Sequence, residues 1–264
     1  MTTDAAARSD FQPRHPWLDR AQRWVSYIGA RGWLPIVAVL LAVAGLWGYL
    51  ELADEVTDQE TDTFDRQILE VIGGGYEEVG GFWQEAGRDV TAMGGSTVIT
   101  LMVTAVVVFL LLNQQWKSSL FVVASVVGGL VISLVLKDLY DRPRPILFDH
   151  RSHTMTASFP SGHSANSAVA YFTMAVLMAK LVRSPWLKAY IFFVGLLIPA
   201  LVGFSRIFLG VHWPTDVIAG WLIGLSWGLI VWGVATFLQR RGGLEREGDM
   251  ADHAKSPRNP AMVS

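Results

Sequence analysis

Six apolar runs, each close to the length a helix needs to cross a bilayer, limit this chain to very few folds. They cover residues 33–50, 97–112, 120–136, 164–181, 187–203 and 217–238. Crossing the hydrocarbon core takes about 20 residues of helix. Helices satisfy their own amides where no water can reach. The second and third runs are short, and their ends are expected to extend into 94–96 and 116–119. The expected fold class is an all-α integral membrane protein, a six-transmembrane-helix bundle over residues 33–239. Composition agrees, with 52% apolar and 17% charged residues against about 25% charged in a soluble domain. Because the first run begins some thirty residues in with no small-residue cleavage site after it, it reads as a retained anchor. Cysteine is absent, which excludes disulfides and thiolate metal sites.

Lysine and arginine collect in cytoplasmic loops. Alternating sides along the six runs places fourteen of the 21 basic residues on one side, with both termini. The expected organisation is a cytoplasmic arm at 1–32, the membrane domain at 33–239 and a disordered cytoplasmic tail at 240–264. On the outer side remain Arg66, Arg88, Lys137, Arg142, Arg144, Arg151 and Arg206. Five of these seven lie in the two segments that flank the third-to-fourth and fifth-to-sixth runs. Taken singly, such cations can snorkel or pair with lipid phosphates. Their concentration beside His163, His212 and Asp216 points instead to a bound anion.

The outer loop at 51–95 carries twelve carboxylates against Arg66 and Arg88. Phe64, Ile68, Val71 and Ile72 recur in it at helical spacing, which predicts an additional outer interfacial helix, either a surface helix packed on the rim of the bundle or a lid over the substrate. Phe82 and Trp83 are candidate headgroup anchors for it. In the sixth run Gly220, Gly224 and Gly228 repeat every four residues, a smooth face suited to close packing within the bundle.

Three short segments hold the chemistry: KDLYDRPRP at 137–145, FPSGH at 159–163 and SRIFLGVHWPTD at 205–216. Phosphoryl transfer is mostly positioning and electrostatic stabilisation. Lys137, Arg144 and Arg206 can supply that stabilisation, arginine as a planar fork of donors and lysine as a compact charge. Pro160, Ser161 and Gly162 stand where the fourth helix should open, and the first amides of a helix make an anion site. A plain capping serine at a loop-to-helix junction looks the same. His212 and Asp216 are four apart, so one turn brings carboxylate and imidazole together. The carboxylate can hold one ring nitrogen protonated and leave the other to attack phosphorus. His163 is then available to protonate the leaving alkoxide. The two histidines and Asp216 could also hold zinc, but three nearby cations oppose a divalent metal. No metal, cofactor or nucleic-acid partner is expected.

The three segments resemble the signature of the type 2 phosphatidic acid phosphatase superfamily, the lipid phosphate phosphatases. Lys137, Arg144 and Pro145 match its first part, Pro160 to His163 its second, and Ser205, Arg206, His212 and Asp216 its third. The resemblance implies a six-helix membrane core with an outward-facing site and a metal-free, two-step reaction. It makes His212 the nucleophile that forms a phosphohistidine, Asp216 its support, and His163 the general acid that later activates water. It assigns Lys137, Arg144, Ser161, Gly162, Ser205 and Arg206 to the phosphate, with Ser205 entering by resemblance only, and Pro145 and Pro160 to the framework of the motif. His150 and His153 fall outside the signature and read as loop residues. The substrates it suggests are bacterial inner-membrane lipids: phosphatidic acid, phosphatidylglycerol phosphate or undecaprenyl diphosphate. A lipid phosphotransferase would share the first half-reaction. An anion or lipid transporter would not need the His212–Asp216 pair. The related haloperoxidases share the signature but are soluble, which six spans oppose.

Overall fold

In a computed structural model, residues 33–76, 78–146 and 157–240 are described. The expected N-terminal arm, the tail after Arg240, and His150, Arg151 and His153 lie outside the described residues. The chain divides into Met1–Val37, of which only the start of the first helix is described, and Ala38–Ser264, which holds the bundle and the candidate site.

All regular structure among the described residues is helical: α1 (Trp33–Thr57), α2 (Asp62–Gly74), α3 (Gly81–Ala92), α4 (Ser96–Leu112), α5 (Trp116–Tyr140), α6 (Gly162–Leu181), α7 (Pro185–Phe208) and α8 (Pro214–Arg240). Each of the six apolar runs lies in a helix of its own. The third extends through Trp116–Ser119 as expected. The second stops at Ser96, because Gly94 and Gly95 form a bend of 50° between α3 and α4.

Among the described residues four helices, α1, α5, α7 and α8, are long and apolar enough to cross a membrane, and the bent pair α3–α4 is so only when the two are counted as one span. Large apolar side chains on their outer surfaces are exposed, among them Leu40, Val43, Leu101, Leu112, Leu130 and Phe193. A sheath of that kind is stable only against lipid. The protein is therefore a multi-pass membrane protein. Though 20 residues long, α6 falls short of that apolarity, and the reason is its position. It packs against α4, α5, α7 and α8, so its buried Ser164, Ser167 and Thr173 face protein rather than lipid.

Small residues let the backbones approach α6 on three sides. A methyl group added to Gly129 of α5 would press on Val169 at 2.8 Å, and one on Gly195 of α7 on Ala175 at 2.7 Å. On α8, Gly220, Gly224 and Gly228 would meet Ser161, Ala165 and Phe172 at 2.6, 2.6 and 2.8 Å. The glycine repeat is thus an internal packing face.

The outer loop holds two helices, α2 and α3. α2 is amphipathic and packs on the rim of the bundle, against α7 and α8. Phe64 and Val71 are exposed, while Thr61, Asp65, Leu69 and Gly73 are buried. Leu69 packs with Ile207 and Val217. Of the apolar pattern, Ile72 packs against that cluster and Ile68 is half-buried, while the stripe facing the bundle also includes a carboxylate, Asp65, whose partners lie far along the chain. Phe82 and Trp83 are exposed on α3, as headgroup anchors would be.

Candidate active site

The signature segments meet at one end of the bundle: the last turns of α5 and α7, the first turns of α6 and α8, and the loops beside them. Pro214 opens α8 at the position where its fixed φ and missing N–H cost nothing. Asp216, two residues on, turns its Oδ2 back to accept from the Trp213 amide at 2.9 Å, half of a capping box. The same oxygen lies 3.3 Å from His212 Nδ1 and accepts from Ser158 Oγ. The first-turn acid and the partner of the imidazole are one residue.

On the other side of the ring, Arg144 Nη1 lies 3.0 Å from His212 Nε2. A guanidinium only donates, so Nε2 is the acceptor and the proton sits on Nδ1, facing Asp216. His212 is 1% exposed. Burial first, then the charges of Arg206, Arg144 and Lys137 and the neighbouring His163, hold its imidazole well below the ordinary histidine range. It is therefore neutral, with its lone pair on Nε2. Those four influences arrive from α7, the 141–146 segment, α5 and α6, so the cations and both histidines share one locality.

Each cation is fixed by the protein. Lys137 Nζ donates to Ala157 O at 2.8 Å, and its stem lies against Gly162. Arg144 donates to Val211 O at 2.8 Å; burial pulls its charge-holding range downward, with Asp216 opposing. Arg206 donates from Nη1 to Thr91 Oγ1 on α3 at 3.0 Å, while its buried Nε has no partner. Arg142 forms the densest contacts, from Nη1 to Asp216 Oδ1 and Thr215 Oγ1 at 2.8 Å each and from Nη2 to Asp65 Oδ2 at 2.7 Å. Burial works against its charge, but Asp216 and Asp65 more than offset that and hold it above the ordinary arginine range.

The turn that opens α6 is set by aromatic packing. Phe159 is fully buried between Tyr49 and Tyr140, at ring separations of 5.9 and 5.1 Å, and joins Pro160 through a cis bond. Ser161 precedes the helix without capping it through its side chain; its amide donates to Asp216 O at 2.9 Å and its Oγ accepts from Ser164. His163 sits beside the α3–α4 bend, where a methyl on Gly95 would come within 3.9 Å of its Nε2. Ser205 donates its proton to Val202 O at 2.6 Å. It also lines an apolar cavity of about 250 Å³ between α3 and α7, together with Trp83, Ala86, Val90, Leu201 and Phe204. Pro145 and Pro160 are buried in the framework of the motif.

Residues 118–240 match the family model of the PAP2 superfamily. The chain carries a PAP2 superfamily domain. Among curated proteins it is 37% identical over 113 residues to phosphatidylglycerophosphatase B of Bacillus subtilis, covering 42% of this chain and 54% of that one. It is 34% identical over 138 residues to the undecaprenyl-diphosphatase of Sulfolobus acidocaldarius, covering 50% and 61%. The chain thus spans little more than half the length of these relatives. The crystal structure of the transmembrane PAP2-type phosphatidylglycerolphosphate phosphatase from Bacillus subtilis superposes with a TM-score of 0.68 at 26% identity, over 75% of this chain and 98% of that one.

Every signature position of the PAP2 domain lies at this end of the bundle. Reading the sequence missed Asp65, Thr91, Ser158 and Thr215, and gave Arg142 no role beyond its charge. The one available signal was Arg142 itself, two residues before Arg144 and equally against the charge trend.

Proposed function

We propose that this protein is an integral membrane lipid phosphatase that works through a phosphohistidine on His212, without a metal. One observation carries the reading. At this end of the bundle four cations (Lys137, Arg142, Arg144 and Arg206) face two buried carboxylates, Asp65 and Asp216, among the described residues. The excess of two positive charges surrounds a neutral imidazole with its lone pair on Nε2, and a phosphomonoester dianion balances it.

In the first step the Nε2 lone pair forms a bond to phosphorus as the bond from phosphorus to the lipid oxygen breaks. His163, which takes up a proton as the dianion binds, gives that proton to the lipid oxygen and becomes neutral. Asp216 supports the positive charge on the phosphorylated ring through Nδ1–H. Arg144, Lys137 and Arg206 take the phosphoryl oxygens, as do the amides that open α6, where Ser161 and Gly162 stand. In the second step His163 takes a proton from water, the oxygen attacks phosphorus, and the phosphorus–nitrogen bond breaks to release phosphate and neutral His212. A diphosphate substrate leaves as the lipid monophosphate.

In this reading α6 and the α3–α4 pair also cross the bilayer, giving six spans over 33–239. Both termini are cytoplasmic and the site opens outward at the bacterial inner membrane. The apolar cavity beside Ser205 suits the hydrocarbon of the substrate. The names of the relatives favour phosphatidylglycerol phosphate and undecaprenyl diphosphate as substrate classes. The test is phosphate release from labelled lipids by purified protein in excess chelator, with trapping of the phosphoenzyme. Release with an acid-labile, alkali-stable label that His212→Ala lacks is expected. Wild-type turnover in His212→Ala refutes the mechanism, and transfer of label to an added alcohol in place of water makes the protein a phosphotransferase.

A further inference from the structure

We infer that Asp65, on the outer helix α2, is a positioning residue for the reaction: it holds Arg142 in the orientation that fixes Asp216, and through Asp216 the attacking His212. The inference rests on the mechanism proposed above. Asp65 is fully buried although most of α2 around it is exposed. A buried carboxylate is costly unless its oxygens are satisfied. Both oxygens are: Oδ1 accepts from the Thr215 amide at 2.9 Å, and Oδ2 accepts from Thr215 Oγ1 at 2.6 Å, Arg142 Nη2 at 2.7 Å and Thr61 Oγ1 at 3.4 Å. From the outer loop Asp65 thus caps the first turn of α8, the turn that carries Asp216.

The fork geometry of Arg142 gives this contact a consequence at the reacting atoms. With Nη2 held by Asp65, Nη1 is aimed at Asp216 Oδ1, and the guanidinium lies over the Trp213 ring at 5.6 Å. Because Oδ1 is occupied, Oδ2 is the oxygen left to meet His212 Nδ1, the Trp213 amide and Ser158. Asp65 also offsets the Arg142 charge. Without it that charge falls wholly on Asp216, which then supports a phosphorylated imidazole less well. The other charged or titratable groups facing this pair are Lys137 on α5, His163 on α6, Arg206 on α7 and Arg144, with the exposed Asp62 at 3.9 Å from Arg142.

The experiment compares wild type, Asp65→Asn, Arg142→Gln, the double variant and Arg142→Lys. It measures phosphoenzyme formation per competent site, counted from the burst amplitude, across pH. Losing a charge-assisted hydrogen bond of this kind should slow formation by on the order of tenfold to a hundredfold, with KM nearly unchanged. Less negative charge beside the ring should also move the acid limb of kcat/KM to lower pH. Arg142→Lys keeps the charge but loses the rigid fork whose two nitrogens reach Asp65 and Asp216 separately, so it should show the same slowing even where Asp65→Asn folds poorly. In the Arg142→Gln background, Asp65→Asn should add less than about a twofold loss, since both act through one contact. A merely structural role lowers the number of competent sites and moves neither the limb nor the coupling. A normal wild type with Asp65→Asn at full rate, an unmoved limb, or losses that multiply in the double variant overturns the role of Asp65 alone. A wild type that forms no phosphohistidine overturns the proposed mechanism and this role together.

Discussion

Gly220→Ala tests whether the contact between α6 and α8 sets the geometry of the site. The added methyl would sit 2.6 Å from Ser161 O, 2.8 Å from Ser164 Cβ and 3.1 Å from Ala165 N. Ordinary van der Waals separation is about 3.5 Å, so the helices must part by roughly 0.9 Å at that level. Two of the three atoms are backbone, which cannot rotate away. Overpacking of this kind costs about 1–3 kcal/mol, and alanine returns up to about 1 kcal/mol of helix propensity. The expected net loss is therefore about 0–3 kcal/mol. The functional effect should be larger. Ser161 precedes α6 and donates to Asp216 O at 2.9 Å, so the separation stretches the link between the amides that open α6 and the His212–Asp216 pair. A displacement of about 1 Å at reacting groups can cost about a hundredfold in rate. Gly233→Ala, on the same helix, is the control, because nothing lies within 4 Å of its added methyl; it should be neutral or stabilising by up to about 1 kcal/mol. Phosphate release and thermal unfolding in the same detergent measure both effects. Gly220→Ala at wild-type kcat would refute the idea that this contact positions the site, and equal behaviour of the two variants would refute the packing analysis.

Two further predictions concern the nucleophile and the lipid tail. His212 is held well below its ordinary range by burial first and then by Arg206, Arg144 and Lys137. Its neutral form therefore persists as pH falls through about 6.5, the unperturbed histidine value. Once the ionisation of the substrate is corrected for, kcat/KM should not fall as pH drops from 7 to below 6, and an enzyme-borne acid limb near 6.5 would contradict this. Ala86→Phe should fill the cavity between α3 and α7. A tail already in lipid gains little from transfer into that cavity, so the variant should impair seating rather than affinity. Turnover of a long-chain lipid phosphate should fall tenfold or more while that of a short soluble phosphate ester stays unchanged, and equal losses on both would remove the tail from the cavity.

What could be read from sequence follows from how far apart the interacting residues are. The apolar runs and the His212–Asp216 spacing are local patterns, and both appear in the helices and at 3.3 Å as expected. The glycine repeat on α8 was legible as a packing face, because small residues at one helical spacing have few other uses in a membrane. The partner of that face, α6, was legible only as a span. Asp65 lies 77 residues before Arg142 and 150 before Thr215, and no spacing rule links positions so distant. In the sequence it is one of twelve carboxylates in an acidic loop, with nothing to set it apart from the other eleven. Ser158 and Thr91 carry no pattern at all. Their roles arise from where the α6 turn and the α3–α4 bend fall in space.

The anchoring of the cations explains how a site with excess positive charge can persist at the edge of a bilayer. Charges that only waited for substrate would repel one another and move into water. Here each is tied to a fixed acceptor: Lys137 to Ala157 O, Arg144 to Val211 O, Arg206 to Thr91 Oγ1, and Arg142 to two carboxylates. These anchors use one of the three donors of Lys137 and leave the buried Nε of Arg206 unmatched. The arrangement is thus ordered before any anion binds, so the free energy of binding a phosphate is not consumed in ordering side chains. It also explains the shape of the outer loop. Thr91 on α3 holds Arg206 and Asp65 on α2 holds Arg142, so the two short helices between α1 and α4 act as clamps on the cationic end of the bundle. Loosening either clamp should disturb the nucleophile before it disturbs the fold, because Leu69 still packs with Ile207 and Val217 and the main helix packing runs along α6 and its neighbours.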